Sequence, residues 1–252
     1  MTLEMTGRDL LVGKRLGQYE IISPFGDATD VYLASSENLA SYVLVYACRT
    51  DDLEEGEILL LEREAEAVRS LVHPSIVPAH DGGRERGYLF LAFPMPSGGT
   101  LAEALTKGLS IEQSLEICEQ ILDGLSAAHQ SGAVHRSISA ESIFIDDTGN
   151  AAIIGLGAPR PNVICVDNDL AVPVLHYAAP EQIMGDQVGP PADLYAAGVL
   201  FYQLLSGRLP YTGESGPTLI YQHLNESPEP IVWHDPVATR LLQEFVAQLL
   251  SK

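Results

Sequence analysis

Apolar and polar positions change rhythm about one third of the way along the chain. Up to residue 94 the apolar segments are short, β-branched and aromatic: Tyr19–Ile22, Val31–Ala34, Tyr42–Ala47, Ile76–Ala79 and Tyr88–Phe93. Such runs, separated by turn signals at Gly26-Asp27 and Ser35-Ser36-Glu37-Asn38, predict strands. One stretch breaks the pattern. From Glu57 to Leu71, Leu60, Leu61, Ala65, Val68 and Leu71 recur at helical spacing and predict a helix ending before His73-Pro74. Beyond the break Pro94–Gly99 the period becomes helical. Ser110 with Gln113 predicts a capping box opening a long helix that ends near Gly132. Short strands are expected at Ile143–Ile145 and Ala151–Ile154, then about twenty irregular residues. Helices follow over 192–205, near 218–224 and over 237–250.

A chain of 252 residues is long enough for one large domain or two lobes. Its net charge of −20 repels nucleic acid and anionic membranes, so neither is an expected partner. With 14 basic residues, few cations are left to hold a polyphosphate. Cys48, Cys118 and Cys165 are widely spaced, suggest no metal site, and fit reduced thiols of a cytoplasmic protein. The longest apolar run, Leu194–Leu205, is too short to span a bilayer and reads as a buried helix.

Two neighbouring segments carry the chemistry. Val134-His135-Arg136-Ser137-Ile138-Ser139-Ala140-Glu141-Ser142-Ile143 resembles the catalytic loop H-R-D-L-K-P-E-N-I of protein kinases, and Gly155-Leu156-Gly157 resembles the D-F-G segment. Further marks in family order are Val31-Tyr32, Arg63-Glu64, His73-Pro74, Gly98-Gly99-Thr100-Leu101, Tyr177-Ala178-Ala179-Pro180-Glu181, Asp193-Leu194-Tyr195 and Ser206-Gly207-Arg208-Leu209-Pro210. The chain is thereby similar to bacterial-type serine/threonine kinases from about Gln18 to Leu250. The resemblance implies an α+β, bilobed fold: a leader over 1–15, an N-lobe over 16–94 with a five-stranded antiparallel sheet and one helix, and a helical C-lobe over 95–252 without the family's last helices.

The resemblance also implies which reacting groups are missing. Ser137 falls at the catalytic aspartate, Ser139 at the loop lysine, Ser142 at the metal-binding asparagine, Gly155 at the D-F-G aspartate and Tyr46 at the strand lysine. A serine hydroxyl is a poor base, and loss of a general base costs roughly 10²–10⁴ in rate. Gly26 is the one glycine kept from the glycine-rich loop, where Asp27 and Asp30 add negative charge. A remnant cleft would comprise Gly26, Ala34, Glu64, Leu91 and Phe93. His135, Arg136, Glu181 and Asp193 are expected in structural roles, with Asp193 anchoring the catalytic loop. No Ser or Thr lies between Ala158 and Tyr177, and Val174 falls at the activation-loop threonine. The expectation is therefore a pseudokinase: not an enzyme, without ATP, Mg²⁺ or another metal, acting on a protein partner such as an active kinase or another signalling protein. Alternatives are a nucleotide-binding sensor and a serine/threonine kinase with rerouted catalytic residues.

Overall fold

The structure, a computed structural model, describes residues 11–26, 30–37, 41–160, 172–231 and 236–252. Expectations resting on Asp27, Asn38, Cys165 and most of the 158–177 stretch lie outside the described residues, as do residues 1–10 of the expected leader.

Four of the early apolar runs form β2 (Tyr19–Pro24), β3 (Val31–Ser36), β4 (Val43–Arg49) and β6 (Tyr88–Pro94), joined by β1 (Arg15–Leu16) and β5 (Asp81–Glu85). They make an antiparallel sheet in the order β1-β2-β3-β4-β6-β5. Four of the five expected strands are present, and β1 and β5 bring the sheet to six. Side chains alternate across a strand, and here both faces are covered. Val43, Val45 and Ala47 pack with Tyr19, Ile21 and Phe90 on one side; Leu44 and Tyr46 pack with Leu91 and Phe93 on the other. That is why β4 is apolar at every position from Val43 to Cys48. Helix α1 (Glu55–Arg69) buries Ile58, Leu61, Glu64 and Val68, and Glu57 caps it by accepting from the Glu54 amide at 2.9 Å.

Two expectations for this part are corrected. Ile76–Ala79 is not a strand; Ile76 makes one parallel bridge to Ile153. Strand β5 was not foreseen, because Asp81-Gly82-Gly83-Arg84-Glu85 has no β-branched or aromatic residue. Its pairing comes from β6 beside it.

After Pro94 come β7 (Gly99–Thr100), α2 (Leu101–Lys107), α3 (Ile111–Gln130), β8 (Ile143–Ile145) and β9 (Ala151–Ile153), with β7-β8-β9 forming a second small sheet. The Ser110–Gln113 capping box is present, with bonds of 3.2 and 2.9 Å. The expected irregular stretch contains α4 (Val172–Leu175), and α5 (Pro180–Met184) follows it. Helix α6 (Pro190–Ser206) is buried almost all round and forms the centre of the largest apolar cluster, against Ile117, Ile121 and Leu125 of α3. The chain continues through α7 (Gly216–Asn225) and α8 (Pro236–Leu249). Trp233 and His234 lie outside the described residues. Among the described residues no helix is long and apolar enough to cross a membrane.

Candidate functional site

The loop between α3 and β8 is built around one buried carboxylate. Asp193, on α6 and 0% exposed, accepts from the backbone amides of His135 at 2.9 Å and Arg136 at 2.7 Å, and its Oδ2 lies 2.8 Å from His129 Nε2. His135 is also fully buried. Its Nδ1 accepts from the Ser137 amide at 3.2 Å, so Nε2 carries the proton and donates to the Ile154 carbonyl at 2.8 Å. Burial, with the neighbouring Arg160 cation, holds the imidazole neutral and lowers its pKa to about 4.

Arg136 has φ +66°, a left-handed conformation that costs a non-glycine residue about 1–2 kcal/mol. Its amide is held by Asp193 and its carbonyl accepts from Gln182 Nε2 at 2.8 Å. Its guanidinium grips Glu64 of α1 bidentately, at 2.5 and 2.7 Å, with both side chains 5% exposed or less. Glu64 is thus a buried ion-pair partner across the lobes. Ser142 closes a local turn: its hydroxyl accepts from the Ser139 amide and donates to the Ser139 carbonyl, both at 3.0 Å. Glu181 sits half-buried on α5, with its carbonyl accepting from the Asp186 amide.

Above this loop, between the sheet and β8, side chains of the chain pack against one another. Tyr46 is 3% exposed and meets Phe93 edge-on at 5.1 Å. Gly155, at φ +87°, lies directly under it; a Cβ there would be 2.8 Å from the Tyr46 ring. A side chain at 155 and the Tyr46 ring in this position therefore exclude one another. Phe25 stacks on Phe144 of β8 at 6.5 Å, and a carboxylate oxygen of Glu141 lies 3.5 Å from where a Gly26 Cβ would be. Leu91 and Phe93 face this region, as expected for a cleft. Ala34 does not: it belongs to the opposite face of the sheet, and Leu33, one residue earlier, takes the inward side. A shift of one residue exchanges the faces of a strand.

One residue that sequence reasoning missed stands at the centre. Arg160 Nε donates to Asp30 at 2.9 Å, and Nη1 donates to the carbonyls of His135 at 3.1 Å and Gly155 at 3.3 Å. Its guanidinium lies 4.9 Å from the Tyr46 ring centroid. The scarcity of basic residues was the available signal, since a buried arginine in such a chain needs a reason.

Below the loop a cavity of about 410 Å³ opens between α2, the loop and the end of α4, lined by Leu105, Ser137, Ser139, Glu141, His176 and Tyr177. Tyr177 is fixed by its bond to Gln203 at 2.7 Å, and burial pushes its phenol up to about 12. Ser142 and Gly155 offer no carboxylate, so the donors at those two positions do not fit a divalent metal ion. The Arg160 guanidinium is a fit for phosphate oxygens.

A family model described as "Protein kinase domain" matches residues 25–252. The chain is 32% identical to the serine/threonine-protein kinase PrkC of Bacillus subtilis, over 96% of this chain and 39% of that protein. It is 30% identical to pkn2 of Myxococcus xanthus (94% and 30%) and 30% identical to PknB of Mycobacterium leprae (84% and 36%), both named serine/threonine-protein kinases. The chain thus spans well under half the length of these relatives. In fold it is similar to the crystal structure of the Mycobacterium tuberculosis PknI kinase domain, with TM-score 0.69 and 21% identity, over 96% of this chain and 90% of that one.

These relatives overturn two expectations. The chain was expected not to be an enzyme and to take no ATP or Mg²⁺. Proteins about 30% identical over most of its length are named serine/threonine-protein kinases, and kinases use both. The expectation weighed single positions above the whole frame. Phosphoryl transfer relies mostly on positioning and electrostatics, which a frame can supply from relocated groups.

Proposed function

We propose that this chain, which belongs to the protein kinase family, is a serine/threonine-kinase-type signalling domain that holds a protein segment below its catalytic loop and works on it through a rerouted, slow phosphoryl-transfer site. The observation that carries this reading is the cavity of about 410 Å³ beside Ser137 and Ser139, next to a loop fastened by Asp193. In this reading Ser137, Ser139, Ser142, Gly155 and Tyr46 stand where kinases carry their charged and amide groups. Bound nucleotide supplies the phosphoryl group. The chain's own contribution is placement: Asp193 and Gln182 hold the loop backbone, the Glu64–Arg136 pair ties α1 to it, and the groove orients the hydroxyl of the segment. As the hydroxyl oxygen bonds to the γ-phosphorus, the β–γ bridging bond breaks and the nucleoside diphosphate leaves; with no carboxylate at 137, the hydroxyl proton passes to solvent, and the rate falls roughly 10²–10⁴ below the usual ~1–100 s⁻¹ of kinases.

The partner is a protein of signalling type that presents serine or threonine. The test is transfer of label from ATP to a serine- and threonine-bearing protein, compared between the native chain and Thr106→Trp. Thr106 is an exposed residue lining the groove. The expected result is slow transfer that the tryptophan suppresses without lowering the melting temperature. Transfer no greater than in a protein-free control, with magnesium or manganese, would refute the reading.

A further inference from the structure

Arg160 is engaged as a cation that has found substitutes for a ligand. Its side chain is 9% exposed in a chain of net charge −20, and among the described residues its charge is met by one carboxylate, Asp30, which is itself 22% exposed. The other acceptors are neutral backbone carbonyls, those of His135 and Gly155. Both belong to the segments that line the region between the lobes. The Tyr46 ring under the guanidinium fixes its height by a cation–π contact. The other buried cation nearby, Arg136, is bound bidentately to Glu64, with both side chains 5% exposed or less. Arg160 differs, because its carboxylate partner, on the residue that precedes β3, is partly exposed at 22%.

We infer that Arg160 is the phosphate-binding cation of this cleft, and that Asp30 is the intramolecular competitor a polyphosphate displaces. The inference rests on the reading that the cleft takes a nucleotide, and it names the group that takes it. Arginine suits the role because its planar fork presents five N–H donors matched to phosphate oxygens. The positive charge that meets the phosphate in this contact comes from the chain. It involves no bond making or breaking: the Arg160–Asp30 contact opens, and phosphate oxygens take its place.

The two partners of the clasp give opposite signs, which separates a ligand from a plug. Binding of ATP and of inorganic tripolyphosphate to the full chain is measured by calorimetry in EDTA. Asp30→Asn keeps the shape and removes the competing charge, so both ligands bind about tenfold tighter. Arg160→Gln loses roughly ten- to a hundredfold, the equivalent of one charge-assisted hydrogen bond. Arg160→Lys recovers part of that loss, and melting curves check that each variant is folded. If Arg160→Gln binds as well as the native chain or better, Arg160 only blocks the cleft and the inference fails. If Arg160→Gln does not fold, Asp30→Asn decides alone, and unchanged affinity refutes the competition. Tight ATP binding that ignores both substitutions overturns this inference and leaves the proposed function standing. No nucleotide binding with or without metal overturns both.

Discussion

Replacing Gly155 by alanine tests whether the Tyr46 ring truly occupies the space where kinases carry a side chain. Two separate costs are readable. At φ +87° any L-residue is strained, by about 1–2 kcal/mol. The new Cβ would also lie 2.8 Å from the Cε1 and Cζ atoms of Tyr46 and 2.9 Å from its hydroxyl oxygen, closer than real Cβ contacts come. The ring has little room to yield, with Phe93 against one side and Arg160 over its face. Overpacking of this kind costs about 1–3 kcal/mol. Gly155→Ala is therefore expected to destabilise by about 2–5 kcal/mol in the native background. In a Tyr46→Leu background the offending ring atoms are gone and only the backbone strain remains, about 1–2 kcal/mol. Urea unfolding of the four proteins gives the coupling directly, expected at about 1–3 kcal/mol. Additivity within ~0.5 kcal/mol would show that the ring does not cover Gly155. The result also bears on restoring kinase-like groups. Gly155→Asp alone should fail for steric reasons, and only together with Tyr46→Lys is there space for it.

Glu64→Gln should cost about 3–5 kcal/mol, because it leaves the Arg136 guanidinium buried without its counter-charge; the paired variant Glu64→Leu/Arg136→Met should regain most of that, and a single-variant loss under ~1 kcal/mol in urea unfolding would contradict the buried pair. Stability should fall as pH drops from about 6.5 toward 5. His135 and His223 are each lowered to about 4 chiefly by burial, so between these values the unfolded chain binds more protons than the folded one. Within that window each contributes a slope of up to about 1.4 kcal/mol per pH unit; the stability it supplies is fully present above the unfolded pKa of 6.5 and is lost as pH falls toward about 4. A flat unfolding free energy over that window would refute the assignment of both rings as neutral.

Much of the frame was legible because its signals are local. The Ser110–Gln113 box, the helical period of α3 and the all-apolar face of α6 each depend on residues a few positions apart. The anchoring role of Asp193 was also legible, through the order of the family marks. Strand β5 was not, since Asp81–Glu85 owes its conformation to β6 and not to its own composition. Ala34 was placed on the wrong face because β3 alternates, and only the register with β4 says which side is inward.

Residue order alone is enough to read a bilobed kinase-type chain with serine at 137, 139 and 142 and glycine at 155. It determined this because periodicity and motif order are properties of neighbouring residues. The tertiary structure decided where the remaining charges went. Glu64 meets Arg136 across 72 positions, and Asp30 meets Arg160 across 130. No local pattern encodes such pairs. They form because a buried ion is costly alone, so the folded chain brings to each cation the carboxylate that its packing leaves within reach.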